Sequence, residues 1–189
     1  GPGFGPAVGP AMGPVEAPPP PSEFVFVEDP NQAGQGAASD ANLAPAGSVN
    51  VLISGNSATI FGITTRADNF VFTSTAGSAS NANKISAFDT GRDYVVFTKD
   101  FLKTVTSTDS IVTNLSSGSI ATGTLLNSTA NAPTAAGHLF TFDTDDGKIY
   151  WDADGNGGSE STVLVADLDS IDDVGGTNPF SYADIQIIN

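Results

Sequence analysis

The chain has 189 residues, 39% hydrophobic and 14% charged, enough for one domain with a real core. Its 21 acidic and 6 basic residues give a formal net charge of −15, which disfavours nucleic-acid phosphates and anionic membrane surfaces as partners and favours divalent cations. Cysteine is absent, so disulfides and thiolate metal sites are excluded, and no apolar run reaches the length of a membrane span.

Residues 1–22 open with Gly-Pro at residues 1, 5, 9 and 13 and close on the run Pro18 to Pro21. A period of four excludes a collagen helix, which needs glycine at every third residue, and the segment reads as an extended Gly/Pro-rich arm. Residues 23–29, "EFVFVED", are an isolated β-strand candidate. Phe24, Val25, Phe26 and Val27 are apolar at every position and want cover on both faces. Residues 30–49 have the composition of a flexible linker. On that leash the strand can fold back onto its own domain, or add to the sheet edge of a second copy.

Residues 50–189 follow a steady β pattern. The expected strands are "VLIS", "ATIFGI", "NFVFTS", "KISAF", "DYVVFT", "SIVTNL", "HLFTF", "KIYW", "STVLVADL" and "DIQII", with turn signals such as Asp-Thr-Gly and Asp-Asp-Gly between them. Single helical turns are expected in "TKDFLKTV" and "FSYAD", and no segment sustains a 3.6 period. The expected fold class is therefore all-β, a β-sandwich or β-roll-like domain with an extended N-terminal arm.

The densest chemistry lies between Asp143 and Asp184, where eleven carboxylates share one cation, Lys148. Within it "DADGNGGSE" places Asp152, Asp154 and Asn156 at positions 1, 3 and 5, Gly157 at 6 and Glu160 at 9 of a calcium-loop pattern. Position 12, where a bidentate glutamate belongs, is Val163, so half of a loop is present and further oxygens are needed. Asp167 and Asp169, with Asp172 and Asp173, are the expected source of them. The turn at Asp143 is placed at the far end of "KIYW", too distant for one ion. The competing reading is a plain turn whose Asp, Asn and Gly satisfy their own backbone. A weaker metal candidate is "FDTGRD", where Asp89 and Asp93 bracket a turn and Arg92 offers a competing ion pair.

Two stretches carry a family resemblance. "RADNFVFTSTAGSASNANKISAFDTGRDYVVFTKDFL" and "GKIYWDADGNGGSESTVLVADL", with the closing "SYADIQIIN", resemble the C-terminal region of hemolysin-type calcium-binding (RTX) proteins. Asp68, Phe70, Phe72, Ile85, Phe88, Gly91, Asp93, Asp152, Asp154, Gly155 and Gly157 fit the pattern. Asn83 and Ala87 stand where the family has aspartates, and the Gly-Gly-x-Gly-x-Asp repeat array is missing. The resemblance implies Ca2+ as the bound ion. It also implies export by bacterial type I secretion machinery, and hence an extracellular or cell-surface location.

No catalytic constellation competes with the loop. His138 is the only histidine, and no residue beside it suggests a base with an orienter, so an enzyme is not expected. Two readings remain. One is a secreted calcium-binding structural or surface protein, self-assembling into a filament or layer by strand addition through Phe24 to Val27. The other is the C-terminal secretion and folding module of a larger secreted enzyme or adhesin.

Overall fold

The structure is a computed structural model that describes residues 48–63, 67–169 and 179–189. The expected arm, the Phe24–Val27 strand, nearly all of the linker, and Asp172 and Asp173 lie outside the described residues.

In chain order the elements are β1 (Ser48–Gly55), β2 (Thr59–Phe61), β3 (Ala67–Ala76), β4 (Lys84–Ser86), β5 (Tyr94–Thr98), α1 (Lys99–Thr104), α2 (Asp109–Thr113), β6 (Gly118–Ser119), β7 (Leu125–Ser128), β8 (Phe140–Asp143), β9 (Lys148–Trp151), β10 (Val163–Asp169) and β11 (Ile185–Ile188). They build a five-stranded sheet in the order β1-β3-β5-β11-β6 and a six-stranded sheet in the order β2-β4-β10-β9-β8-β7. From β1 to β5 successive strands alternate between the two sheets, and each pass through a sheet lies parallel to the one before. The coil is interrupted between β5 and β10 by the two helices and the β8–β9 hairpin, then resumes, with β10 parallel to β4 and β11 parallel to β5.

The all-β expectation is corrected on two counts. The fold is mixed α/β, with two short helices, and its sheets are rich in parallel pairs. It is not an all-β sandwich. The segment "SIVTNL", expected as a strand, is mostly α2. Its apolar residues Ile111, Val112 and Leu115 form a helical stripe against the core, and Val112 is fully buried. A five-residue helix is too short to declare a period, so the β-branched residues read as strand. Lys99 closes the far end, its Nζ donating to the carbonyls of Thr113 and Leu115 at 3.2 and 2.6 Å. The helix expected in "TKDFLKTV" is α1, started by Thr98, whose hydroxyl accepts from the Phe101 amide at 3.0 Å.

Parallel strands are covered on both faces, so their sequences are apolar at consecutive positions rather than alternate ones. Phe70, Val71 and Phe72 in β3, and Val95, Val96 and Phe97 in β5, follow that rule and are all buried. Between the sheets, Val51, Phe70, Val95 and Ile185 align across the register of the five-stranded sheet. Rings then cross to the other sheet. Phe97 stacks on Phe140 with centroids 5.5 Å apart, and Phe140 meets Trp151 at 4.9 Å.

Asn83 holds the corner where the chain leaves one sheet for the other. Its Nδ2 donates to the Gly55 carbonyl at 2.9 Å and its Oδ1 accepts from the Ala58 amide at 2.8 Å. An ionised aspartate offers no donor, so asparagine is the residue this corner requires. Asn83→Asp is expected to destabilise the domain by about 1–3 kcal/mol at neutral pH, because a buried charge would face the Gly55 carbonyl. Urea unfolding measures it.

Candidate functional site

The loop Asp152–Glu160 leaves the end of β9 and returns to β10, whose Val163 pairs with Trp151. The Asp152 amide donates to the Leu139 carbonyl at 2.8 Å, which fixes the start of the loop against β8. Asn156 continues the anchoring, its amide donating to the Ala135 carbonyl at 3.2 Å, while its side chain is exposed. Gly155 has φ +69°, and a Cβ there would stand 2.3 Å from the Ala136 carbonyl oxygen. Gly155→Ala should therefore cost about 2 kcal/mol or more, from the left-handed backbone and the clash together. A lowered thermal midpoint tests it, with the exposed Gly137→Ala, whose Cβ meets nothing within 4 Å, as control.

Two carboxylates face inward from this frame. Asp152 Oδ2 accepts from the Thr162 hydroxyl at 2.6 Å, and Asp154 Oδ2 accepts from the amides of Ser159 and Glu160 at 2.8 and 3.2 Å. The other oxygen of each, Asp152 Oδ1 and Asp154 Oδ1, is buried without a hydrogen-bond partner. Asp152 as a whole is only 5% exposed. The two carboxyls also act on each other. Burial, and then the neighbouring Asp154, push the Asp152 carboxyl above its ordinary range. Burial pushes Asp154 upward too, but the Glu160 amide, the Asp152 carboxyl and the Ser159 amide outweigh it and hold Asp154 low. One proton, or one cation, between the pair removes the conflict.

No family model, curated protein or solved structure matches this chain. The site has to be read from its own atoms.

The remaining sequence candidates separate from Asp152 and Asp154. Glu160 turns away from the loop interior. Its Oε1 accepts from the Ser107 amide at 2.7 Å and its Oε2 from the Ser107 hydroxyl at 2.6 Å, and these bonds hold its carboxyl below the usual range. Beside it Trp151 Nε1 donates to the Thr106 hydroxyl at 2.9 Å. Glu160 and Trp151 together pin the α1–α2 connection to the loop, a role that no local spacing announces. Asp167 and Asp169 lie toward the opposite end of β10. Asp167 sits in register between Lys84 of β4 and Lys148 of β9, in a row of alternating charge. Four residues of strand, about 13 Å, separate it from the loop end of β10. The Asp143 turn lies at that same far end, where Leu168 donates to the Gly147 carbonyl at 2.9 Å.

Asp93, the weaker candidate, has both oxygens engaged, accepting from the amides of Asp68 and Asp89 at 2.9 Å each. Asp68 in turn accepts from the Ile63 amide at 3.0 Å, so the two aspartates stitch loops to the starts of β3 and β5. Asp89 pairs loosely with Arg92 at 3.8 Å. His138 meets the Thr134 hydroxyl at 3.3 Å. Among the described residues no group of three or more Asp, Glu, His or Cys is placed to hold a metal. Of the sequence candidates, Asp152 and Asp154 are the two carboxyls that could face one cation, and a hard ion such as Ca2+ would need main-chain oxygens and water to complete its shell.

Proposed function

We propose that this is a secreted, non-enzymatic structural protein of a bacterial surface, whose β9–β10 loop takes Ca2+ between Asp152 and Asp154. The reading is carried by the two buried carboxylate oxygens with no hydrogen-bond partner, Asp152 Oδ1 and Asp154 Oδ1, on neighbouring carboxyls that act on each other in a chain of net charge −15. Carboxylate oxygens are hard donors that suit calcium, and bringing two together without a counterion is electrostatically unfavourable. Scarce cytosolic calcium would leave the acidic chain loosely held during type I export, and millimolar calcium outside would couple folding to arrival. Copies would then associate through the Phe24–Val27 strand.

Thermal unfolding in EGTA and in millimolar CaCl2 tests the loop. The expected result is a rise in melting temperature with calcium that is lost in the Asp152→Asn, Asp154→Asn double variant. An equal melting temperature in both solutions would reduce the pair to two carboxyls sharing a proton.

A further inference from the structure

The outer face of the five-stranded sheet is apolar and buried. Alternation along the strands points Val51, Phe70, Phe72, Val95 and Ile187 toward the other sheet and turns Leu52, Val71, Val96 and Ile188 outward. These four outward residues are 3%, 1%, 3% and 0% exposed. Their row continues into the bonded pair Asn50–Asn69, 1% and 2% exposed. Side chains on an uncovered sheet face keep much of their area in water. Burial this complete requires atoms lying on top.

Among the described residues the partly buried Tyr94 packs against the outward cluster. The buried side chains of α1 and α2 (Phe101, Leu102 and Val112) belong to the core between the sheets. Segments outside the described residues can add cover to this face, and composition selects among them. Residues 64–66 are short and polar, and residues 170–178 carry Asp172 and Asp173. Only the N-terminal segment holds a run apolar at every position, Phe24 to Val27. It precedes β1, the edge strand of this same sheet, by a tether of residues 28–47. Twenty residues can span up to roughly 66 Å, far more than the ~15 Å across four strands.

We propose that Phe24–Val27 lies on the outer face of its own chain's five-stranded sheet, over Leu52, Val71, Val96 and Ile188. The seat is independent of the calcium reading. It deepens the association reading, since the strand proposed to join copies then has a place in the monomer, and joining copies becomes an exchange of one seat for an identical one next door.

The chain has no native cysteine, so engineered pairs report this contact directly. Val71→Cys is combined in the full-length chain with Phe24→Cys, Val25→Cys, Phe26→Cys or Val27→Cys, and each pair is mildly oxidised at low protein concentration. Neighbouring positions of a strand face opposite ways, so the expected result is cross-linking of one alternate pair of the four, with most of the product running as a monomer. Product running only as a disulfide-linked dimer would put a second copy in the seat and overturn the proposal. Absence of any cross-link would give the face to another segment. As a second measurement, deletion of residues 1–29 should raise the fluorescence of a hydrophobic dye several-fold, and a peptide of residues 23–29 added in trans should reverse it. A deleted chain that binds no more dye than the full chain also overturns the proposal.

Discussion

Truncating Phe97 to alanine will cost the domain about 3–5 kcal/mol, a large part of the roughly 5–15 kcal/mol that stabilises a typical domain. Phe97 is fully buried and touches three other rings, Phe72 at 5.1 Å, Phe101 at 5.8 Å and Phe140 at 5.5 Å. Phe72 shares its sheet, Phe101 belongs to α1, and Phe140 belongs to the opposite sheet, so the side chain is where three elements meet. The cavity left by alanine cannot be filled by one neighbour without pulling on the other two, which places the cost near the top of the usual range. Phe97→Leu restores most of the volume but none of the ring stacking, and should cost about 1–2 kcal/mol. Equilibrium urea unfolding distinguishes the two variants. Tyr182→Ala, at a residue 39% exposed, serves as the control and should shift the midpoint little.

The same strand shows why part of this architecture is legible in a sequence and part is not. "YVVF" and "FVF" declare themselves as covered strands because four or three apolar residues in a row leave no polar face to turn outward. What they do not declare is which strand lies beside which. The register that sets Phe70 beside Val95 and Val95 beside Ile185 is a non-local fact, decided by how the chain passes between sheets. The helices fail for a different reason. α2 is too short for its Ile111, Val112 and Leu115 stripe to outweigh β-branched composition.

At the loop, Asp152 and Asp154 come together because their spacing is local. Glu160 fits the same local spacing, yet Ser107, on another element, takes both of its oxygens. Asp167 and Asp169 follow soon after in sequence, but a strand carries them away from the loop at 3.3 Å per residue. Spacing along a chain brings side chains together within a turn and misleads across a strand. The outward cluster of Leu52, Val71, Val96 and Ile188 was hidden likewise, because a run that is apolar throughout shows that both faces are covered without naming the cover.

Stability should fall as pH rises from about 5 to 7.5, opposite to the behaviour of a domain held by ionised, well-partnered carboxylates. The dominant group is Asp93, whose carboxyl is pushed up to about 7. Burial is the main cause, the amide bonds from Asp89 and Asp68 pull the other way, and the charges of Asp68 and Asp89 add to the rise. An unfolded aspartate titrates near 3.9, so between about pH 4 and 7 the folded state keeps a proton that the unfolded state has released. Folding is therefore favoured at the acid end of that window, and the advantage is lost as pH rises through 7. Three pK units at 1.36 kcal/mol each bound the whole effect near 4 kcal/mol, and the interval from pH 5 to 7.5 covers about 2–3 kcal/mol of it. Asp167 and Asp184 are shifted upward by burial and act in the same direction, whereas Glu160, held low by Ser107, contributes stability that is fully present over this interval and is lost only at more acid pH. Urea midpoints measured in EGTA at pH 5, 6, 7 and 7.5 isolate the proton from any bound cation. Asp93→Asn should lower stability at every pH, because its amide group cannot accept from both the Asp68 and Asp89 amides, and should flatten the slope. A wild-type midpoint that climbs with pH over this interval would mean that the two amide bonds outweigh burial at Asp93, and that its carboxylate, like that of Glu160, is a stabilising charge.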